Sequence, residues 1–202
     1  RIKICGLTNF LDAKNAYDAG AFYGGLNFWP KSKRYVTKAE AESIKKVPLM
    51  WGGVFVDQPL AEVKEIACDL NLDFVQLHGQ ESERYIKELR AEIDCEIWQA
   101  IRIKGLNKAQ KSFYADKVLL DTYCDIEPGG TGKSFAWEKH SDEFSASIVA
   151  GGVNESNVAK LAQYFPFAID ICSGVESENP RKKSLAKIHG IFDSLRLKSK
   201  RT

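Results

Sequence analysis

The stretch SIVAGGVNESNVAKLAQYFPFAIDICSGVE, residues 147–176, contains one full cycle of the pattern that organises the chain. SIVAG (147–151) is a short apolar run ending in glycine, and AIDIC (168–172) is another. Between them Val158, Leu161, Ala162 and Phe165 recur at spacings of three and four, which puts one apolar stripe on a helix, with Asn154 placed to cap its start. Strand, helix and strand in succession predict a βαβ unit, and such units build parallel sheets.

The same alternation runs from end to end. The candidate strands are IKIC (2–5), FYGGLNF (22–28), LMWGGVF (49–55), FVQL (74–77), EIWQAI (96–101), KVLLD (117–121), SIVAG (147–151) and AIDIC (168–172). Leu60, Val63, Ile66, Ala67 and Leu70 form another helical stripe, Thr37 with Glu40 makes a capping box, and Pro59 suits a first helical turn. Segment 105–113 is short and poorly patterned, so its helix is expected to shrink to a turn. Eight such units predict an α/β fold, a single-domain (β/α)8 TIM barrel over residues 1–202 with a reduced fifth helix; an open doubly wound sheet is the alternative. In a barrel the chemistry gathers at the carboxyl ends of the strands, which selects Cys5, Arg34, His78, Asp121, Gly151, Gly152, Ser173 and Gly174.

Bulk composition narrows the classes. With 202 residues, 44% hydrophobic and 28% charged, the chain has the make-up of a soluble globular protein. A net charge of +2 with interspersed signs argues against nucleic acid or membrane as a partner, and the basic tail Arg196 to Arg201 reads as a solvated terminus. No secretory signal or bilayer-length apolar run is present. The five cysteines, Cys5, Cys68, Cys95, Cys124 and Cys172, are widely spaced and without grouped histidines, so neither a zinc site nor a disulfide framework is expected, and a reducing cytoplasm suits them. The sequence opens at Arg1 almost inside a strand, which suggests an origin in a longer polypeptide.

GGTGKS (129–134) superficially matches a nucleotide-binding loop. The opening glycine of G-x-x-x-x-G-K-[ST] would fall at Glu127, where a carboxylate would repel the phosphate it should cradle. Phosphate binding points instead to AGGVN (150–154) and CSGVE (172–176), because barrels of this class hold phosphate after the seventh and eighth strands; tight turns are the plainer explanation of either loop alone. GGTGK, with Gly130, Thr131 and Gly132, then serves as a lid or a third set of amides.

Four side chains carry candidate chemistry. Asp121 closes an apolar strand, where a carboxyl can have its pKa raised enough to donate a proton, or can simply cap a turn. Cys5 beside Gly6 is an inert buried thiol unless positive charge or amides stabilise its thiolate. Arg34 offers a planar fork to a carboxylate or is a solvated loop cation; His78 orients substrate, carries protons or is structural.

Taken together, KICGLT (3–8), DAGAFYGGLNFWPKSKRYV (18–36), GVFVDQ (53–58), FVQLHGQE (74–81), LLDT (119–122), GGTGKSFAW (129–137), VAGGVNESNV (149–158) and IDICSGVE (169–176) resemble the phosphoribosylanthranilate isomerase family, in order and across nearly the whole chain. The resemblance implies an Amadori rearrangement of N-(5-phosphoribosyl)anthranilate in tryptophan biosynthesis, with Cys5 as general base and Asp121 as general acid. It also implies Arg34 on the anthranilate carboxylate, the amides of Gly151, Gly152, Ser173 and Gly174 on the phosphate, and no metal or organic cofactor. Residues 18–28 are similar to the isomerase half of enzymes fused to indoleglycerol-phosphate synthase, so such a fusion is expected. Three departures stand out: Pro30, Lys31, Ser32, Lys33 and Arg34 where the family has P-S-P-R, so that a stiffening proline is absent, Ala136 in place of an aspartate, and an inserted residue in Pro180 to Ser184, which puts the last loop's geometry in question. A bisubstrate isomerase of histidine and tryptophan synthesis is one alternative, disfavoured by Cys5 at the position where those enzymes resemble an aspartate pattern. A non-catalytic phosphosugar-binding domain is the other.

Overall fold

The computed structural model describes residues 1–103, 111–122 and 144–199. Eight parallel strands, β1 (Ile2–Cys5), β2 (Tyr23–Asn27), β3 (Met50–Phe55), β4 (Phe74–Leu77), β5 (Glu96–Ile103), β6 (Lys117–Thr122), β7 (Ser147–Ala150) and β8 (Ala168–Ile171), form a closed barrel in sequence order. β8 closes on β1, with Ile2 opposite Ile169 and Ile4 opposite Ile171. The doubly wound alternative is thereby excluded.

Successive residues of a strand face opposite sides of the sheet, so each strand divides its side chains between helices and barrel interior. Ile2, Ile4, Val75, Leu77, Ile169 and Ile171 belong to the larger apolar layer packed with helix residues such as Ala13, Val63 and Ile188. Tyr23, Phe74, Trp98, Leu119, Ile148 and Ala168 fill a separate interior cluster, with Phe74 stacked on Trp98 at 3.6 Å between ring centroids. This plug closes one end of the barrel. Above it on the same faces stand Lys3 and Cys5, Gln76 and His78, and Asp170 and Cys172, two residues apart in each case.

Local signals mostly act as read. Thr37 and Glu40 form the capping box of the helix Lys38–Ile44. Pro59 stands at the N-cap of Leu60–Asp69, one place before the expected first turn. The helix after β7 is shorter than its stripe predicted: it spans Val158–Leu161 and tightens to a 3-10 turn, Ala162–Tyr164. Phe165 then adopts φ 50° and is exposed, since Pro166 disfavours right-handed helical backbone in the residue before it. Asn154 is not the cap. Asn157 holds that position without a side-chain bond, and Asn154 Oδ1 instead accepts the Ser156 amide at 2.9 Å in a local turn. The reduced fifth helix falls mainly on 105–110, outside the described residues.

Candidate active site

The carboxyl ends of the strands enclose a cavity of about 520 Å³. Cys5, Arg34, His78, Asp121, Gly151, Gly152 and Ser173 all line it. Gly174 does not. It packs against the preceding loop so closely that an added Cβ would lie 1.9 Å from the Val153 carbonyl oxygen. Gly130, Thr131 and Gly132, with the expected GGTGK lid, lie outside the described residues.

Cys5 ends β1 with its sulfur buried. Across from it Gly25 of β2 has no side chain, and a Cβ there would stand 2.8 Å from the sulfur and 3.3 Å from Lys3 Nζ, so glycine is what lets thiol and ammonium share this corner. The Cys5 thiol is held well below its ordinary pKa. A hydrogen bond from the Cys172 thiol is the main cause; burial opposes it, and the charges of Lys3 and Lys183 reinforce it. Cys172 is correspondingly pushed up by the same bond and by burial. Widely spaced in sequence, these two cysteines meet because β8 is the barrel neighbour of β1.

Beneath them Lys3 is fully enclosed and donates to Asp170 Oδ2 at 2.9 Å and Gln76 Oε1 at 3.0 Å. Burial alone would lower its pKa, but the Asp170 carboxylate and the Cys5 sulfur overcome it and hold the ammonium above its usual range. Burial pushes the Asp170 carboxyl up to about 6, against the pull of Lys3. Asp170 Oδ1 has no hydrogen-bond partner among the described residues. Lys3 and Asp170 thus form a buried ion pair, and it is the Lys3 ammonium within it whose charge favours the Cys5 thiolate.

Asp121 projects near the end of β6, three strands around the ring from Cys5, and its Oδ2 lies 3.1 Å from His78 Nε2. Gln76 Nε2 donates to His78 Nδ1 at 2.8 Å. Arg34 sits in the loop after β2, where its amide donates to Ser32 Oγ at 3.1 Å, so serine braces the loop that lacks a stiffening proline. Its guanidinium grips Glu176 with Nε and Nη2, the latter at 2.9 Å. Lys183 Nζ reaches the same carboxylate at 3.1 Å. Burial works against ionisation of Glu176, but these two cations outweigh it and keep its carboxyl below the usual range. The segment with the inserted residue is thus firmly registered: the Lys183 amide donates to Asp12 Oδ2 at 2.8 Å, and Ser184 N donates to Val175 O at 2.8 Å.

Gly151 and Gly152 both take positive φ, 93° and 63°, a conformation glycine adopts without steric cost. The Gly152 carbonyl is turned back onto the Asn157 and Asn154 side-chain amides at 3.0 and 3.2 Å. In the Ser173–Val175 turn the amides of Val175 and Glu176 bond internally, while those of Ser173 and Gly174 stand at its open start. Two loops of small residues therefore bring main chain to one rim of the cavity, the arrangement that suits an anion.

Residues 2–194 match the family PRAI, N-(5'-phosphoribosyl)anthranilate (PRA) isomerase. The chain belongs to this family. It is 42% identical over 200 residues to the tryptophan biosynthesis protein TrpCF of Vibrio cholerae, covering 96% of this chain and 42% of that protein. Against the N-(5'-phosphoribosyl)anthranilate isomerase of Thermoanaerobacter sp. the identity is 36%, with 95% of this chain and 98% of the relative covered. Among solved structures, a phosphoribosyl anthranilate isomerase in complex with reduced 1-(o-carboxyphenylamino)-1-deoxyribulose 5-phosphate superposes with a TM-score of 0.80 at 30% identity, covering 97% of this chain and 98% of that one. The chain thus spans less than half the length of the TrpCF relative and nearly all of the other two.

Sequence reasoning missed the floor of the site. Lys3, Gln76, Asp170 and Cys172, together with Asn27 and Arg102 of the cavity wall, were passed over as parts of apolar strands or loops. A signal existed: Lys3 and Gln76 each sit two residues before a strand-end candidate, on the same face, and Asp170 stands in the same relation to Cys172.

Proposed function

We propose that this chain isomerises N-(5'-phosphoribosyl)anthranilate to 1-(2-carboxyphenylamino)-1-deoxyribulose 5-phosphate, with Cys5 as general base and Asp121 as general acid. The observation that carries the reading is that a thiol with a lowered pKa and a carboxyl group at the ends of β1 and β6 face one cavity. Asp121 gives its proton to the ribose ring oxygen as the C1–O bond breaks, and the anilino nitrogen lone pair closes the C=N bond. The Cys5 thiolate then removes the C2 proton, whose electron pair forms the C1=C2 bond of an enolamine while the iminium nitrogen is neutralised. Tautomerisation gives the ketone. No electrons leave the substrate, so a redox cofactor has no part in the balance.

Arg34, fixed by Glu176, meets the anthranilate carboxylate, and the amides of the Gly151–Gly152 and Ser173–Gly174 loops hold the phosphate. The bound product analogue of the solved relative supports a site of this chemistry. Activity within a longer tryptophan-biosynthesis polypeptide belongs to the same reading, supported by the length of the TrpCF relative. The test is to supply the substrate and follow its fluorescence. Saturable conversion to the ribulose product is expected, and absence of turnover in the folded protein refutes the proposal.

A further inference from the structure

One hydrogen-bonded line crosses the barrel from the floor beneath the base to the acid. Lys3 Nζ donates to Gln76 Oε1, Gln76 Nε2 lies 2.8 Å from His78 Nδ1, and His78 Nε2 lies 3.1 Å from Asp121 Oδ2. The direction of every bond in it follows from its first member. A lysine ammonium has donors and no acceptor, so the Gln76 atom it touches is the carbonyl oxygen. The other end of that amide is then NH2, a donor, and His78 Nδ1 must accept. A ring nitrogen that accepts carries no proton, so the imidazole proton sits on Nε2 and points at Asp121.

We propose that Lys3 and Gln76 are positioning residues for the acid step, locking His78 as the Nε2–H tautomer so that it occupies Asp121 Oδ2 and leaves Oδ1 to carry the transferred proton. Burial enforces the lock. Lys3 and Gln76 are 0% and 1% exposed, so water has no access to compete for the bonds that set the amide's orientation. His78 is held from its backbone as well, its amide donating to the Phe55 carbonyl at 2.8 Å. When Asp121 releases its proton, the Nε2–H bond to Oδ2 is already in place to stabilise the carboxylate that forms, with no rearrangement at the moment of reaction. Reversing the tautomer would face Asp121 with a lone pair, and the carboxyl proton would be drawn to His78 instead of the sugar.

This inference rests on the role of Asp121 given above, and its test separates the two. The imidazole nitrogens are read by 15N NMR in the free protein, His78 being assigned by the loss of its signals in His78→Gln. Expected in the wild type is a bare Nδ1 and a protonated Nε2. In Gln76→Glu the carboxylate still accepts from Lys3 but can only accept from His78, so Nδ1 becomes protonated. In parallel, kcat falls about tenfold or more while KM changes less than twofold, because the lost contact acts in the transition state. A wild-type ring protonated on Nδ1, or a reversed ring in Gln76→Glu with unchanged kcat, overturns the proposal. Should Gln76→Glu fail to fold, the wild-type ring decides alone. Absence of any turnover by wild type refutes the functional reading and leaves the NMR result to stand or fall by itself.

Discussion

Cys172, one residue past β8, meets Cys5 at the end of β1 at the rim of the cavity, and its side chain is the first cause of the lowered Cys5 pKa. A thiolate needs donors or cations to exist out of water, and the Cys172 side chain is the largest stabilising influence on it, supplemented by the charges of Lys3 and Lys183. Replacing Cys172 by alanine removes it. The thiol pKa of Cys5 then rises, and the acid-side limb of the kcat/KM profile, which reports the base in the free enzyme, moves to higher pH. Activity therefore falls more at pH 6 than at pH 8. A pH–rate series on both proteins checks this, and an unmoved limb removes Cys172 from the account.

Lys3 Nζ lies 2.9 Å from Asp170 Oδ2 in the barrel floor, and among the described residues no other cation forms an ion pair with that carboxylate. Substitution by methionine keeps the volume and strands that carboxylate in the interior. Loss of one partner of a buried pair costs about 3–5 kcal/mol, so the denaturant midpoint drops sharply. Because Burial already holds Asp170 up to about 6, the stranded carboxyl in Lys3→Met shifts further upward. A raised folded-state pKa in a carboxyl is a penalty that grows as pH rises, so the variant is relatively most stable in acid and loses ground above pH 6. Chemical denaturation at pH 5 and pH 8 reads both effects.

Gly25 faces the corner that Cys5 and Lys3 share. An alanine methyl there meets the Cys5 sulfur at 2.8 Å and the Cys5 α-carbon at 3.2 Å. Such overpacking costs about 1–3 kcal/mol and displaces the sulfur, so Gly25→Ala is expected to lower kcat more than its loss of stability explains. Thermal melting beside steady-state kinetics separates the two quantities.

Glu176 holds the Arg34 fork and neutralises Lys183. In Glu176→Gln the fork loses its charged anchor, and on the role proposed for Arg34 binding of the anthranilate carboxylate weakens with little effect on bond making. KM rises about tenfold, equivalent to about 1.4 kcal/mol, while kcat stays within a few-fold. A kcat collapse with unchanged KM would instead place Glu176 at the reacting atoms.

Much of this was legible before any coordinates. IKIC and FVQL coincide with β1 and β4 because short apolar runs between amphipathic stretches have few other uses, and the capping box at Thr37 marked a helix start to the residue. The helix after β7 was overextended because spacing alone gives no weight to Pro166, which ends the helical backbone one residue earlier. Lys3, Gln76 and Asp170 went unseen for a different reason: a charged or polar residue inside an apolar run reads as an interruption, and only closure of the barrel turns three interruptions on three strands into one buried cluster. The partnership of Cys5 with Cys172 likewise depends on β8 meeting β1, a long-range fact that residue spacing does not contain.

The central claim, that a thiolate and a carboxylic acid attack one sugar phosphate from two sides of the same cavity, is tested most directly by turnover of phosphoribosylanthranilate with Cys5→Ser and Asp121→Asn. Each change is close to isosteric and removes one proton-transfer group. Losses of roughly a hundredfold or more in kcat are predicted for both, with the substrate still bound. Wild-type turnover in either variant would contradict the assignment.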